Sequence, residues 1–247
     1  MTSILLACIL ALLPKSPDSD RIRIETPSIA QEVEMVWSTL RDIKFFEEHN
    51  YSVSLPSGQL IDELKKKGRQ GKLGEADYSR LESFMHKHVY KVENYQKSRS
   101  IISAAIPTLL VFLQDMESKK WDWDIAFFPT YRIQMTLYGP GGSYHPDDGS
   151  IVIFTTPDGR FKQYNDPTNT LIHEMVHLCI EESIIQTYQV PHSLKERLVD
   201  RFVKISYGDK LPEYRIQPMG DTDLDQFVTS NTDLQNLASI VEEFMKK

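Results

Sequence analysis

The stretch from Asp166 to Tyr188, DPTNTLIHEMVHLCIEESIIQTY, decides how this chain is read. Asp166 is a cap candidate, and Pro167 stands at the first helical position, where its missing N–H costs nothing. The stretch therefore predicts one helix running to about Tyr188. Leu171, Ile172, Met175, Val176, Leu178, Cys179, Ile180, Ile184 and Ile185 surround His173, Glu174 and His177 with apolar neighbours. A helix that is apolar nearly all round is buried, and a buried helix does not carry two imidazoles and a carboxylate without partners. His173 and His177 stand four apart, so they rise from one helical face with bases about 5–6 Å apart, a spacing at which two imidazoles can share one zinc ion. Glu174 lies one residue round from His173, placed to take a proton from water bound to such an ion. Cys179 reads as a buried packing residue.

The five-residue pattern His173-Glu174-Met175-Val176-His177 arises by chance in about one chain in seventy of this composition, so its surroundings have to decide. A hydrolytic zinc site needs a third protein ligand and one open position. Glu181 and Glu182 sit further along the same helix; at 1.5 Å rise per residue, Glu181 is about 12 Å along the axis from His173, too far to close the set. Glu196 can close it. Val190 and Pro191 break the helix, and the next one, predicted from Leu194 to about Tyr207, can cross back and aim a carboxylate at the ion. Ser193 with Glu196 three residues on also has the form of a capping box, a competing use for that glutamate.

Eighteen residues separate His177 from Glu196, and Asp200 follows four residues later on the same face. This H-E-x-x-H-x18-E pattern resembles the gluzincin zinc metallopeptidases, the thermolysin-like and aminopeptidase group. The resemblance covers Leu171 to Asp200, about 30 of the 247 residues. It implies a zincin-like α+β domain, with His173, His177 and Glu196 as zinc ligands and Asp200 bracing His173 from behind. It also implies a zinc-dependent metallohydrolase acting on peptide or protein substrates, in which Glu174 activates a zinc-bound water and later protonates the leaving amine. Such enzymes place a substrate-binding edge strand before the zinc helix, and the strands at Tyr131 to Tyr138 and Ser150 to Thr155 stand in that place. The family's usual transition-state histidine or tyrosine is not identifiable here; His145, His192, Tyr207, Tyr214 and Arg215 are the candidates. The alternative is a non-catalytic zincin-like protein that binds a peptide or partner, against which the intact Glu174 argues. A metzincin would need a glycine and a histidine where Ile180 and Ser183 stand. A di-iron carboxylate site would need a second E-x-x-H half, but Glu82 and His86 are four apart, not three.

Outward from this core, the chain divides into a mostly helical first part, residues 19–120, and a catalytic part, residues 121–247, within one zincin-like domain. Val33, Val36, Trp37, Leu40, Ile43 and Phe46 recur at helical steps and predict a helix from Ile29 to about Asn50. A short helix follows from Gln59 to Lys67, then a solvated Lys- and Gly-rich loop. Glu75 to Ser118 reads as helical, with Pro107 forcing a kink or a break. His86 and His88, two apart, face different sides of that helix and make no ligand pair. Trp121 and Trp123 read as core anchors. The character changes at Ile125, where alternating branched and aromatic residues predict the strand to Tyr138; Gly139–Gly142 and His145–Gly149 read as turns around the second strand. Asp221, Asp223 and Asp225 have the first spacing of a calcium loop but lack its glycine and its closing glutamate. A last helix is predicted from Leu234 to Lys247.

With 28 Lys and Arg against 35 Asp and Glu, a net charge of −7 and a pI near 5.5, the chain is a poor electrostatic match for nucleic acid. Cys8 and Cys179 are too few for a disulfide framework. The apolar run Ser3 to Leu13 is about half of the roughly 20 residues that span a bilayer, so no stable membrane span is expected. It fits a secretory h-region without its usual positive start, or else a buried N-terminal strand or helix. Residues 1–18 are accordingly a signal peptide or disordered start, which would make the protein secreted or periplasmic; the second reading leaves it cytoplasmic.

Overall fold

The computed structural model describes residues 20–246; the Ser3 to Leu13 run and Cys8 lie outside the described residues. A mixed sheet is built from β1 (Ile22–Glu25), β2 (Tyr131–Thr136), β3 (Ser143–His145) and β4 (Ser150–Phe154), in the spatial order β1-β2-β4-β3. β1 and β4 both run parallel to β2, and β3 lies antiparallel to β4 along the far edge. β2 alternates as a strand with one covered face should: Tyr131, Ile133 and Met135 are buried, Arg132 and Gln134 only partly. Its neighbour β4 is buried at four of its five positions, in keeping with an interior strand of a mostly parallel sheet.

The helices are α1 (Ile29–Arg41), α2 (Ile43–Glu48), α3 (Gln59–Arg69), α4 (Glu75–Phe84), α5 (Gln96–Ser118), α6 (Thr168–Ile180), α7 (His192–Tyr207), α8 (Asn231–Gln235) and α9 (Leu237–Met245). The class is α+β, with a small sheet among many helices. α5 packs against β1 and α6, and α6 against β3, β4 and α7, so the histidine-bearing helix sits between the sheet's edge and the C-terminal helices. Trp123 anchors that C-terminal part: buried, it donates its indole N–H to the Leu234 carbonyl at 2.9 Å.

Several local expectations are corrected. The mostly helical first part of the chain also contributes a short strand that was not expected, in which Ile22 and Ile24 turn inward and Arg23 turns out. The helix expected from Ile29 to Asn50 divides at Asp42, whose backbone leaves helical geometry. α3 continues to Arg69, where a loop was expected, and Arg69 clamps Glu47 with both ends of its guanidinium. Pro107 does not break α5, which runs through it from Gln96 to Ser118. Pro107 and Ser103 share the exposed face, so the carbonyl that loses its amide partner faces water. The interruption falls instead near Tyr90, after a π-helical turn over Met85–Val89.

Val92–Ser118 is long and apolar enough to cross a membrane by length and composition. In this fold Ile102, Leu109, Phe112, Leu113 and Met116 bury one face of α5 in the protein core, while Arg99 and Val111 stay exposed.

Candidate metal centre

α6 begins as its sequence directs: the Asp166 side chain accepts from the Thr168 amide at 2.9 Å, next to Pro167. Twelve of its thirteen residues are buried, including His173, Glu174 and His177. The helix passes into a π-helical turn over Glu181–Gln186 and stops; Gln189, at φ 52°, lies in the reversal before α7. α7 starts at His192 behind Pro191 with no side-chain cap, so the box expected from Ser193 and Glu196 does not form. Glu196 points instead at the two histidines.

Three donor atoms converge there. His173 Nε2 and His177 Nε2 are 3.0 Å apart, Glu196 Oε2 is 3.3 Å from the first, and Glu196 Oε1 is 3.4 Å from the second. Together they can hold a metal ion. Burial alone would push the His173 imidazole down, but its bonds to Asp200 and Glu196 more than reverse this and raise it to about 10. Burial dominates at His177 and lowers it to about 4. Glu196 is held well below the carboxylate range, because the two histidines outweigh the effect of its burial.

The two histidines are oriented by different means. Behind His173, Tyr214 Oη lies 2.6 Å from Nδ1 and donates its proton to Asp200 Oδ1 at 2.7 Å. Tyr214 has only that proton, so Nδ1 must be the donor to Oη, and Nε2 is the nitrogen whose lone pair would face a metal once its proton is displaced. Asp200, expected behind His173, is 3.4 Å from Nδ1 and is itself fixed by the Gln217 amide at 2.6 Å. His177 has no such chain among the described residues, where its Nδ1 is buried without a hydrogen-bond partner. Its ring is stacked on Tyr144 of β3, centroids 4.6 Å apart and planes 11° from parallel. Tyr144 is held in turn, donating to Glu181 at 2.5 Å and accepting from Lys195 at 2.8 Å.

Glu174 lies beside the cluster and, among the described residues, makes no hydrogen bond. Burial, with no donor to offset it, pushes its carboxyl up to about 7. The chain just before β3 passes close over it: a Cβ on Gly142 would come within 2.7 Å of Glu174 Oε1, so a larger residue there would push that carboxylate aside. Both sit in a cleft of about 650 Å³, lined on one side by Pro140 to Tyr144 and also by Lys195, Gln217 and the rings of Phe45, Phe46 and Tyr51.

The two strands expected to offer an edge to the cleft, around β2 and β4, are both interior. The edge is β3, a segment the sequence places between two turns because Gly141, Gly142 and Pro146 flank it so tightly. Of the five candidate oxyanion donors, Tyr207 turns its hydroxyl to Asp115, Arg215 lies over the Tyr164 ring and His145 is outside the cleft lining. Tyr214 is committed to Asp200. His192 alone of the five is an exposed cleft residue, 3.8 Å from Glu196. Tyr144, Lys195, Gln217 and Gly142 are additions that sequence reading missed; the pair of glycines after Pro140 was the one local signal for a close backbone approach. The calcium-loop candidate Asp225 is taken by Arg197, whose Nε donates to it at 2.8 Å. Set against family models, curated proteins and solved structures, the chain matches none of them.

Proposed function

We propose that this chain is a zinc-dependent metallohydrolase that cleaves peptide bonds, built on a zincin-like arrangement of sheet edge, histidine helix and glutamate helix. The observation that carries the reading is the donor spacing of 3.0, 3.3 and 3.4 Å among His173, His177 and Glu196. Ligands bonded tetrahedrally to zinc at about 2.0–2.1 Å stand roughly 3.3–3.4 Å apart, and two imidazoles with one carboxylate are a common catalytic zinc set. Zinc held there would polarise a substrate carbonyl and make an attacking water acidic. Glu174 accepts the proton of that water and returns it to the leaving amine, a task suited to a carboxyl that burial brings near neutrality. Tyr214 and Asp200 hold His173 in the tautomer that ligation requires.

A peptide substrate is favoured by β3. Among the described residues its outer side has no strand partner, so its backbone groups are open to an extended chain lying beside Glu174 and His177. The test is metal content by plasma mass spectrometry, wild type beside Glu196→Ala, followed by a peptide screen beside Glu174→Gln. The expected result is about one zinc per chain in the wild type, much weakened in the first variant, and hydrolysis lost in the second. Failure of the wild type to bind zinc after reconstitution would overturn the reading.

A further inference from the structure

Phe45 and Phe46 on α2 and Tyr51 just after it line the same cleft as His173, Glu174 and Glu196. Their rings form one group, with centroids 5.7 Å apart for Phe45 and Phe46, 5.9 Å for Phe46 and Tyr51, and 6.2 Å for the stacked Phe45 and Tyr51. Yet Phe45 is 51% and Tyr51 38% exposed, two of the five large apolar side chains left in water among the described residues. Apolar surface kept in water on the wall of a concave site is surface that a ligand side chain gains by covering.

The wall is also fixed in place. Asn50, at φ 58°, folds the chain back so that the Tyr51 amide donates to the Phe46 carbonyl at 2.8 Å. Ser54 and Gly139 exchange two backbone hydrogen bonds of 2.9 Å, and Lys162 Nζ donates to the Ser52 carbonyl at 2.6 Å and to that of Pro140. The aromatic segment is thereby tied to the turn that leads into β3. Pro140 is two residues from Gly142, at most about 7 Å along the chain, and Gly142 lies close beside the Glu174 carboxylate.

We propose that Phe45, Phe46 and Tyr51 are a specificity wall that selects a large apolar side chain, aromatic or long aliphatic, within two residues of the cleaved bond. The proposal rests on the peptidase reading, since a peptide extended along β3 is what carries a side chain from Glu174 to the rings. Continuity with the donor cluster favours a substrate side chain over a second protein as the occupant.

The experiment incubates the zinc-reconstituted full chain with a library of synthetic peptides and reads cleavage sites by mass spectrometry, wild type beside a Phe45→Ala/Tyr51→Ala double variant. Wild-type cuts are expected to carry Phe, Tyr, Trp, Leu or Met at one fixed position near the bond. In the double variant, the ratio of kcat/KM for a Phe peptide over its Ala counterpart should fall about tenfold or more. Cutting without apolar preference, or a preference the variant keeps, overturns the wall and leaves the peptidase reading standing. Failure to cut any peptide overturns the peptidase reading. The wall is then read by fluorescence anisotropy with two fluorescein-labelled peptides that differ by Phe against Ala, and equal affinities overturn it. Sedimentation velocity closes the remaining route: a wild-type dimer that the double variant dissolves would give the rings to a second copy of the chain and overturn the proposal.

Discussion

Where α1 meets the end of β2, Glu32 is fully buried and surrounded by donors: the hydroxyl of Tyr95, that of Thr136 at 2.7 Å and the Leu137 amide at 3.0 Å. On the floor of the cleft Glu174 is nearly as buried, 7% exposed, and receives none. Burial raises both carboxyls. The first ties a helix to a strand, and every atom around it has a use in that tie. The second accepts no hydrogen bond from the described residues, has its burial offset only in part by the charges of His173 and Lys195, and lines the cleft. A buried polar group without partners is rare in a stable protein unless something else engages it. Comparing the two carboxylates separates a group enclosed by donors of the fold from a group left open to the cleft, as the proposed role of Glu174 requires.

Exchanging Glu174 for glutamine should give the largest effect on function and almost none on stability. Loss of a positioned base typically lowers a rate by about 10²–10⁴-fold, and the variant should keep its metal while losing hydrolysis on that scale. Its urea midpoint should match or exceed the wild type, since a neutral amide costs less to bury than a carboxylate without donors. A midpoint that drops sharply would mean that Glu174 holds the fold after all, and the comparison with Glu32 would collapse.

Glu32→Ala should do the reverse. It strands the Tyr95 and Thr136 hydroxyls and the Leu137 amide in the core, each at about 1–3 kcal/mol when unmet, with partial relief from relaxation. A net loss of about 3 kcal/mol would lower the melting temperature by roughly 6–12 °C in a chain of this size. Rate per folded, metal-loaded molecule should stay within about twofold, because α1 contributes nothing to the donor cluster. Calorimetry beside a kinetic assay measures both quantities on one preparation, and a large rate loss at full folding would show that the two carboxylates are coupled.

Sequence reading reached the first of these groups unequally from the second. His173, Glu174 and His177 were legible because a four-residue step on one helix fixes their relation before any tertiary fold exists. Glu196 and Asp200 were legible because a Pro-marked reversal and a second helix put both on one face. Glu32 was not: its partners come from residues more than 60 positions away, and nothing in its own neighbourhood distinguishes it from the exposed Glu34. Tyr144 and Gln217 were hidden for the same reason, since a ring stack and an amide contact arise only when β3 and the chain after α7 come together. Ile22 and Ile24, alternating with Arg21, Arg23 and Glu25, did carry a strand signal, but four residues are too few to stand against the helical patterns that follow. β3 was lost to the glycines and prolines that flank it, which read as turns.

Tyr214→Phe sharpens the contrast from the side of the donors. It removes the oxygen between His173 Nδ1 and Asp200 and leaves only the longer 3.4 Å contact to hold the tautomer. Removing such a supporting group typically weakens a metal site by about 10–100-fold, and competition with a chromogenic chelator would measure it. Thermal stability of the metal-free chain should shift much less than for Glu32→Ala. Unchanged affinity would show that Asp200 alone suffices to orient His173.

The smallest effect is a slope. Burial holds the Glu32 carboxyl above its ordinary value of 4.5, so the folded chain keeps that proton to higher pH than the unfolded chain does. Stabilisation from the bound proton is complete below the unfolded value and is lost as pH rises through the raised folded one. Glutamine does not titrate. The unfolding free energy of wild type minus Glu32→Gln should therefore fall with pH across that window and level off above it, in urea titrations spaced over roughly pH 4 to 8. Glu174, raised to about 7, titrates in both proteins and cancels in the difference. A flat difference would mean that the donors around Glu32 outweigh its burial and keep it charged. The two carboxylates would then differ in protonation state as well as in partners, and the donor count alone would predict which buried glutamate is ionised.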